Sequence, residues 1–504
     1  VPKRSLAIIT LLLFAAIPAF AGRRIVPSTD RLPLGDWTYD AMISLASDGL
    51  VPGYAARLFE GDRLFNRFEM AQIVSMIIET SVEKDITSYQ AVLIDHLVSE
   101  FRPELLYFEP GTVQKWSERV AGMSLPSDQK AFALGYVQGK FTDSTADDTG
   151  TLLPYHISGF SRLAPHIFAV ATFSNKEERF FQRPRPDTTP SRLFVRKIDS
   201  GSFWTIGREY LDWGPAYSGS VILSDNSPAF TQMRGSREIE FGKIFGRVKI
   251  TEFATTFRHE GPHIYLFGRR YEKPFNRNWH LGISETAKTN FAPNPLIAAL
   301  PFYLYQAIFI KDDARINTLY STDLTYLADN GMQAYAEVVV DDMTAPRFLR
   351  PHHSFSRPRK AGIVAGFYSP KVFRDDLPSN FRAEYIAIDR LTYSATWAAV
   401  PELAYTHDTQ IIGHPIGPNA KAIYLRGERY FSHKFSAIAE YFNQWQTASG
   451  DPERGHQRVV SLMAAYDFRP DASIALRIAP FKTITAGEPS ESGTEYELRA
   501  SFGF

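Results

Sequence analysis

His259-Glu260-Gly261-Pro262-His263 has the order H-E-x-x-H, in which two imidazoles hold a zinc ion and the glutamate works on its bound water. That chemistry needs both histidines on one face of a helix. Here Gly261 and Pro262 fill the middle, between Val248–Phe257 and Ile264–Arg270, which alternate with the two-residue rhythm of strands. The string reads as a tight turn, and no metal site is expected. Asp341-Asp342 and Asp375-Asp376 are adjacent carboxylates, but neighbours on a strand point to opposite faces and share no proton. His352-His353 falls in a basic, proline-flanked loop, and Asp143, Asp147 and Asp148 lack the ordered spacing of a calcium site. The chain has no G-x-S-x-G, phosphate-binding loop or dinucleotide fingerprint. No catalytic constellation and no cofactor are expected; a hydrolase would have to draw its serine and histidine from distant strands.

Binding is better served than catalysis. Carbohydrate recognition uses stacking aromatics beside planar polar groups, and residues 204–226 supply both: Arg208, Glu209, Trp213, Tyr217, Asp225 and Asn226. The block starts as an extended segment, breaks at Trp213-Gly214-Pro215 because proline cannot continue a ladder, and closes on the turn-forming Ser224-Asp225-Asn226. A structural account competes: a turn at Trp213-Gly214-Pro215, and ion pairs from Arg208 and Glu209 to other strands. Both stay open at this point. Gly207-Arg208-Glu209, Trp213-Gly214-Pro215, Gly219-Ser220 and Leu223-Ser224-Asp225-Asn226 resemble the most recognisable block of the Wzi family. Those are outer-membrane β-barrels of capsule and surface-polysaccharide assembly. The resemblance runs from about Ser191 to the C-terminus, with Gly413 to Pro418 similar to an outer-loop segment. It implies an eighteen-stranded barrel that binds glycan without transforming it.

The composition fits an envelope protein. Lys+Arg and Asp+Glu both number 55, so no net field draws in nucleic acid, and the absence of cysteine excludes disulfides and thiolate metal sites. Lys3-Arg4, the apolar run Leu6 to Ile17 and Ala19-Phe20-Ala21 read as an export signal, residues 1–21, with Gly22 as the mature start. Beyond it no apolar run reaches the roughly 20 residues of a spanning helix.

The helical period comes first. Asp36 to Leu50 places Trp37, Ala41 and Leu45 on one face, and Asn66 with Glu69 forms a capping box for a second helix whose core face holds Met70, Ile73, Val74, Ile77 and Ile78. Trp37, Tyr39-Asp40-Ala41, Gly49-Leu50-Val51, Gly53 and Asn66-Arg67-Phe68-Glu69 resemble one S-layer homology (SLH) module. The resemblance implies a grip on peptidoglycan or another cell-wall polymer through Arg67, with Trp37 and Asp40 as further candidates. Structural roles compete, a core anchor for Trp37 and a cap for Glu69. Ile86 to Phe108 is a further amphipathic helix that Pro103 should break, Gln129 to Tyr136 is expected to be helical, and Phe141 to Gly150 reads as a linker.

From Pro154 the period becomes two. Tyr496, Leu498, Ala500, Phe502 and Phe504 alternate with Glu495, Glu497, Arg499, Ser501 and Gly503, and charges of both signs stand on the polar faces. Phe504 after Phe502 resembles the terminal signal of outer-membrane insertion. Asp329-Asn330-Gly331 is a tight-turn signal. The expected organisation is mainly β. A helical SLH-like module in the periplasm (22–82) and a helical spacer and linker (83–153) lead to a large antiparallel transmembrane β-barrel (154–504) of about 16 to 18 strands. Its partners would be surface polysaccharide, cell-wall polymer and outer-membrane lipid. The alternative is a porin-like channel tethering the outer membrane to peptidoglycan.

Overall fold

The computed structural model describes residues 26–504, other than 62, 124–130, 145–146, 153–154, 165, 175–190, 200–201, 243–245, 258–262, 292–315, 342–359, 374–376, 396–400, 448–453, 485–489 and 504. The expected export signal, residues 259–262 of the H-E-x-x-H string, Asp342, His352-His353 and Asp375-Asp376 lie outside the described residues.

Among the described residues five α-helices come first. α1 (Trp37–Ser47) starts at Asp36, whose carboxylate accepts from the Thr38 N–H. α2 (Arg67–Glu83) carries the expected capping box of Asn66 and Glu69, and α3 (Ser88–Glu100) has another from Thr87 and Gln90. The chain breaks at Phe101 and resumes as α4 (Arg102–Phe108), with Pro103 in the first turn where its missing N–H costs nothing. α5 (Pro110–Ala121) ends the segment. Among the described residues no helix is long and apolar enough to cross a membrane, which leaves crossing by strands open.

The strands follow: β1 (Ala131–Ser144), β2 (Asp147–Leu152), β3 (Tyr155–Ala164), β4 (Ile167–Ser174), β5 (Arg192–Asp199), β6 (Ser202–Glu209) and β7 (Phe230–Glu240). Next are β8 (Arg247–Phe257), β9 (Ile264–Pro274), β10 (Trp279–Thr289), β11 (Ile316–Leu327), β12 (Gln333–Asp341), β13 (Ala361–Ser369) and β14 (Ser379–Ile388). The short β15 (Thr406–His407) and β16 (Gln410–Ile411) pair only with each other. β17 (Ala420–Tyr430), β18 (Phe435–Thr447), β19 (Arg454–Arg469), β20 (Ala472–Ile484) and β21 (Glu491–Gly503) complete the set.

Two expectations need correction. The stretch Gln129 to Tyr136, expected to be helical, is strand where described, from Ala131. Phe141 to Gly150 is not a linker; it belongs to β1 and β2 where described. The sheet therefore begins at Ala131 rather than Pro154. β1 gains ladder partners on both sides, and those distant neighbours override a local pattern broken by Gly135, Gly139 and Lys140.

All pairings are antiparallel: from β3 onward each strand pairs with the next, β14 passing over β15 and β16 to β17, and β1 pairs with β2, β3 and, from Tyr136↔Gly503 to Ser144↔Glu495, with β21. Following the neighbours thus leads back to the start. β2 and β3 pair with successive stretches of β1, so the 19 strands of the sheet fill eighteen places in the ring. Its polarity is inverted relative to a water-soluble protein. Trp204, Leu462 and Phe502 point outward, 56%, 58% and 56% exposed, whereas Arg270, Glu337 and Arg382 on the inner face are buried. Connections at one end are short, such as Arg469 to Ala472. At the other end they are long, such as Glu209 to Phe230 and Ile388 to Ala420.

The helices stand across the short-turn mouth and bond to strands around the ring. Arg57 pairs with Asp467 (2.8 Å), Glu69 with Arg382 (3.0 Å), and Asn66 donates to Gln333 (2.6 Å). Tyr107 donates to the Asn276 carbonyl, and the Ala56 N–H to the Pro470 carbonyl.

Candidate functional site

Residues 210–229, between β6 and β7, turn into the ring from the long-loop end. Leu211, Trp213, Val221, Ile222 and Leu223 form one buried cluster with Tyr335, Val339, Val364 and Ile386 of the inner wall. Two wall carboxylates hold the loop's backbone turns. Glu384 accepts from the N–H groups of Tyr217 (2.6 Å) and Ser218 (2.8 Å), and Glu337 from the Ser220 hydroxyl (2.6 Å). Gly214 has φ +139°, and a Cβ there would lie 2.7 Å from a Glu337 oxygen, so glycine is required. The inward part of residues 389–419 packs beside this loop. Ser224 donates to Gly413, Tyr393 to the Val221 carbonyl, and Asn226 to the Ile411 carbonyl.

The six candidates of the 204–226 block are distributed as follows. Glu209 is buried and accepts from Arg196 (2.6 and 2.8 Å) and Arg234 (2.6 Å), so its ion pairs reach other strands. Half-buried Arg208 donates to the Ala229 carbonyl. Trp213 is buried edge-on to Phe253; Tyr217 stacks on Tyr424 under the Arg382 guanidinium. Asp225 and Asp212 both accept from Arg31, and Asp225 also from the Leu34 N–H (2.7 Å). Asn226 bridges to the second loop. The block is thus a keystone inside the ring, reached from the opposite mouth by Arg31. Burial raises the Asp212 carboxyl to about 8, against the pull of Arg31 and with the help of the Asp225 charge. His414 lies beneath Ser218, and burial lowers it to about 3.

Of the three cell-wall candidates, Trp37 and Asp40 face the barrel and Arg67 faces the neighbouring helices. Trp37 is wholly buried against Phe160 and Phe168. Asp40 pairs with Arg192 (2.6 Å) and accepts from Ser158 (2.6 Å), and His156 lies 2.6 Å away. Arg67 lies over Phe101 and donates to Glu100 (2.8 Å) and Glu104 (2.9 Å), which answers the unfavourable helix-end position of its charge. Ser158, His156 and Asp40 contain the residue types of a hydrolytic triad. The same His156 nitrogen meets both partners, so the ring is not placed to relay a proton from serine to aspartate. Among the described residues no cluster of three or more His, Asp or Glu could hold a metal ion.

Sequence reasoning missed a polar, solvent-accessible wall. On the inner face of β18 to β21, Gln444 and Gln457 stand towards the long-loop end, and Arg477, Glu495 and Arg499 are partly exposed. Arg477 donates to Ser461 and pairs with Glu495 (3.4 Å). These are flat amide, guanidinium and carboxylate groups, suited to sugar hydroxyls. The signal was present in the polar half of each alternation, but which polar faces stay wet depends on where the inner loops lie.

A ring apolar outside, charged inside and filled from both mouths is the build of a transmembrane β-barrel with an occupied lumen. The chain belongs to the Wzi capsule assembly family, whose sequence model, Capsule assembly protein Wzi, matches residues 198–485. Among solved structures it is similar to Wzi of Escherichia coli, described as an outer-membrane, carbohydrate-binding β-barrel involved in group 1 capsule assembly. The identity is 12% and the TM-score 0.53, over 94% of this chain and 99% of that one. OccK3 (OpdO) of Pseudomonas aeruginosa is less similar, at 10% identity and TM-score 0.45 over 74% of this chain and 95% of that one. Comparison with curated protein sequences gives no match.

Proposed function

We propose that this chain is an outer-membrane β-barrel that binds carbohydrate in the assembly or surface retention of a capsular or extracellular polysaccharide, without catalysis. The observation that carries the reading is the accessible polar wall of Gln444, Gln457, Arg477, Glu495 and Arg499 beside a packed inner loop, in a member of a capsule assembly family. Short turns face the periplasm and long loops the cell exterior, as in outer-membrane barrels generally. The wall then opens towards the side where a surface glycan is held. The 204–226 block acts on the glycan through shape, by holding the loops that frame the wall. The occupied lumen weighs against a solute channel. The helical segment serves as a periplasmic stopper, and its exposed outer surface is where any peptidoglycan contact would be made.

The test is binding of purified barrel to the polysaccharide of its own cells, with the double variant Arg477→Gln/Arg499→Gln. Loss of binding in the variant, with retained heat-modifiable mobility, supports the reading. Equal binding by the variant sinks the assignment of the wall. A deletion strain that keeps its surface polysaccharide sinks the function.

A further inference from the structure

The outer face of β14 and β17 to β20 is not uniformly convex. Register aligns Phe381, Gly427, Ala439, Leu462 and Ile478 on one rung, and Arg429, Ala437, Ala464 and Leu476 on the next. Small residues therefore sit in the middle, with large apolar side chains on both sides. The result is a groove of about 570 Å³ in the apolar belt, within the size range of small-molecule sites. Gly427 forms part of its floor, and a Cβ there would meet no atom of the protein within 4 Å. Packing within the chain therefore does not require that glycine; a strand glycine of this kind marks close approach by something else.

One end of the groove reaches the short-turn rim. There the Arg429 guanidinium lies 3.8 Å from the ring centre of Phe373 and 5.6 Å from that of Phe431, both exposed aromatics at girdle height. Lys371 and Lys434 are exposed in the adjacent turns. Hydrocarbon depth thus carries an apolar slot, and Arg429, Lys371 and Lys434 stand at the water interface above it. A single molecule with that polarity is a phospholipid, its acyl chain in the slot and its phosphate on the cation.

We infer that this groove is a binding site for one anionic phospholipid of the periplasmic leaflet. This rests on the outer-membrane reading above. A second copy of the chain fits less well, because a two-fold contact over this face would bring Arg429 and Lys434 towards their own counterparts.

The experiment uses full-length barrel extracted from outer membranes in mild detergent, with native mass spectrometry and titration by phosphatidylglycerol. The wild type is expected to keep one phospholipid. Gly427→Leu, whose Cβ meets no atom of the protein within 4 Å, should fill the floor and is expected to lose it while keeping the heat-modifiable mobility of the folded barrel. Arg429→Gln is expected to weaken phosphatidylglycerol binding by about fivefold, with little effect on a zwitterionic lipid. Retention by Gly427→Leu equal to wild type overturns the site. So does a wild-type dimer that Gly427→Leu dissociates, which would give the groove to a second copy. A chain that never partitions into membranes defeats the outer-membrane reading itself, a result distinct from these.

Discussion

Glu209 shows how one inner-face residue holds several elements. It neutralises buried Arg196 of β5 and largely covered Arg234 of β7 at once. Glu209→Ala would leave both guanidinium groups short of a partner, a loss of about 3–5 kcal/mol that urea unfolding of the refolded barrel would register. Glu209→Gln, which keeps the acceptor oxygen, should cost less. The inner loops should also respond to pH from both sides. His414 is held neutral while the unfolded chain takes up its proton below about 6.5. Its share of loop stability is complete above that pH and is lost as pH falls towards about 3. Asp212 behaves oppositely, because burial keeps it protonated; its share is complete below the ordinary carboxylate value and is lost as pH rises towards about 8. Hydrogen-exchange protection at residues 210–229, taken relative to the intrinsic amide rate at each pH, should therefore fall at either extreme. His414→Gln should remove the acid limb and Asp212→Asn the alkaline one. A flat protection profile in the unmodified chain would contradict both assignments.

At the scale of elements, local chemistry was readable where the partners lie close in sequence. Asn66 with Glu69 announced α2, Pro103 the break before α4, and Asp329-Asn330-Gly331 the turn between β11 and β12, where the Gly331 N–H donates to Ala328. It failed where partners are distant. Nothing near Ala131 reveals that β1 will lie between β3 and β21. Nothing near Arg67 or Asp40 reveals Glu104 or Arg192. The 204–226 block was recognisable from its spacing, but its burial was not, since Trp213 and Tyr217 meet Phe253 and Tyr424 only after the ring forms. The SLH-like stretch gives a sharp test. Arg67 is already engaged by Glu100 and Glu104, so Arg67→Ala should leave pull-down on purified peptidoglycan unchanged while loosening α2 from α3 and α4. Reduced pull-down with undisturbed helices would restore a wall-binding role to that arginine.

At the scale of the whole molecule, the inverted polarity fixes the solvent. Leu462→Arg places a cation on the outer face and should destabilise the barrel by about 2–4 kcal/mol if that face meets the bilayer midplane. The same exchange at half-exposed Gln457, on the inner face, should be nearly silent; equal costs at the two positions would disprove the inside-out assignment. The pairing of β1 with β21 has a consequence for assembly. A seam made by the earliest and latest strands cannot be sewn until the whole sheet has been laid down. The helical segment precedes both strands in the chain and already bonds to residues as far along as Asp467 and Ser501, through Arg57 and Glu60 in the connection between α1 and α2. That segment is thus walled in by the sheet as it grows, like a ship built inside its bottle, and a stopper enclosed that way leaves only when the wall is unpicked.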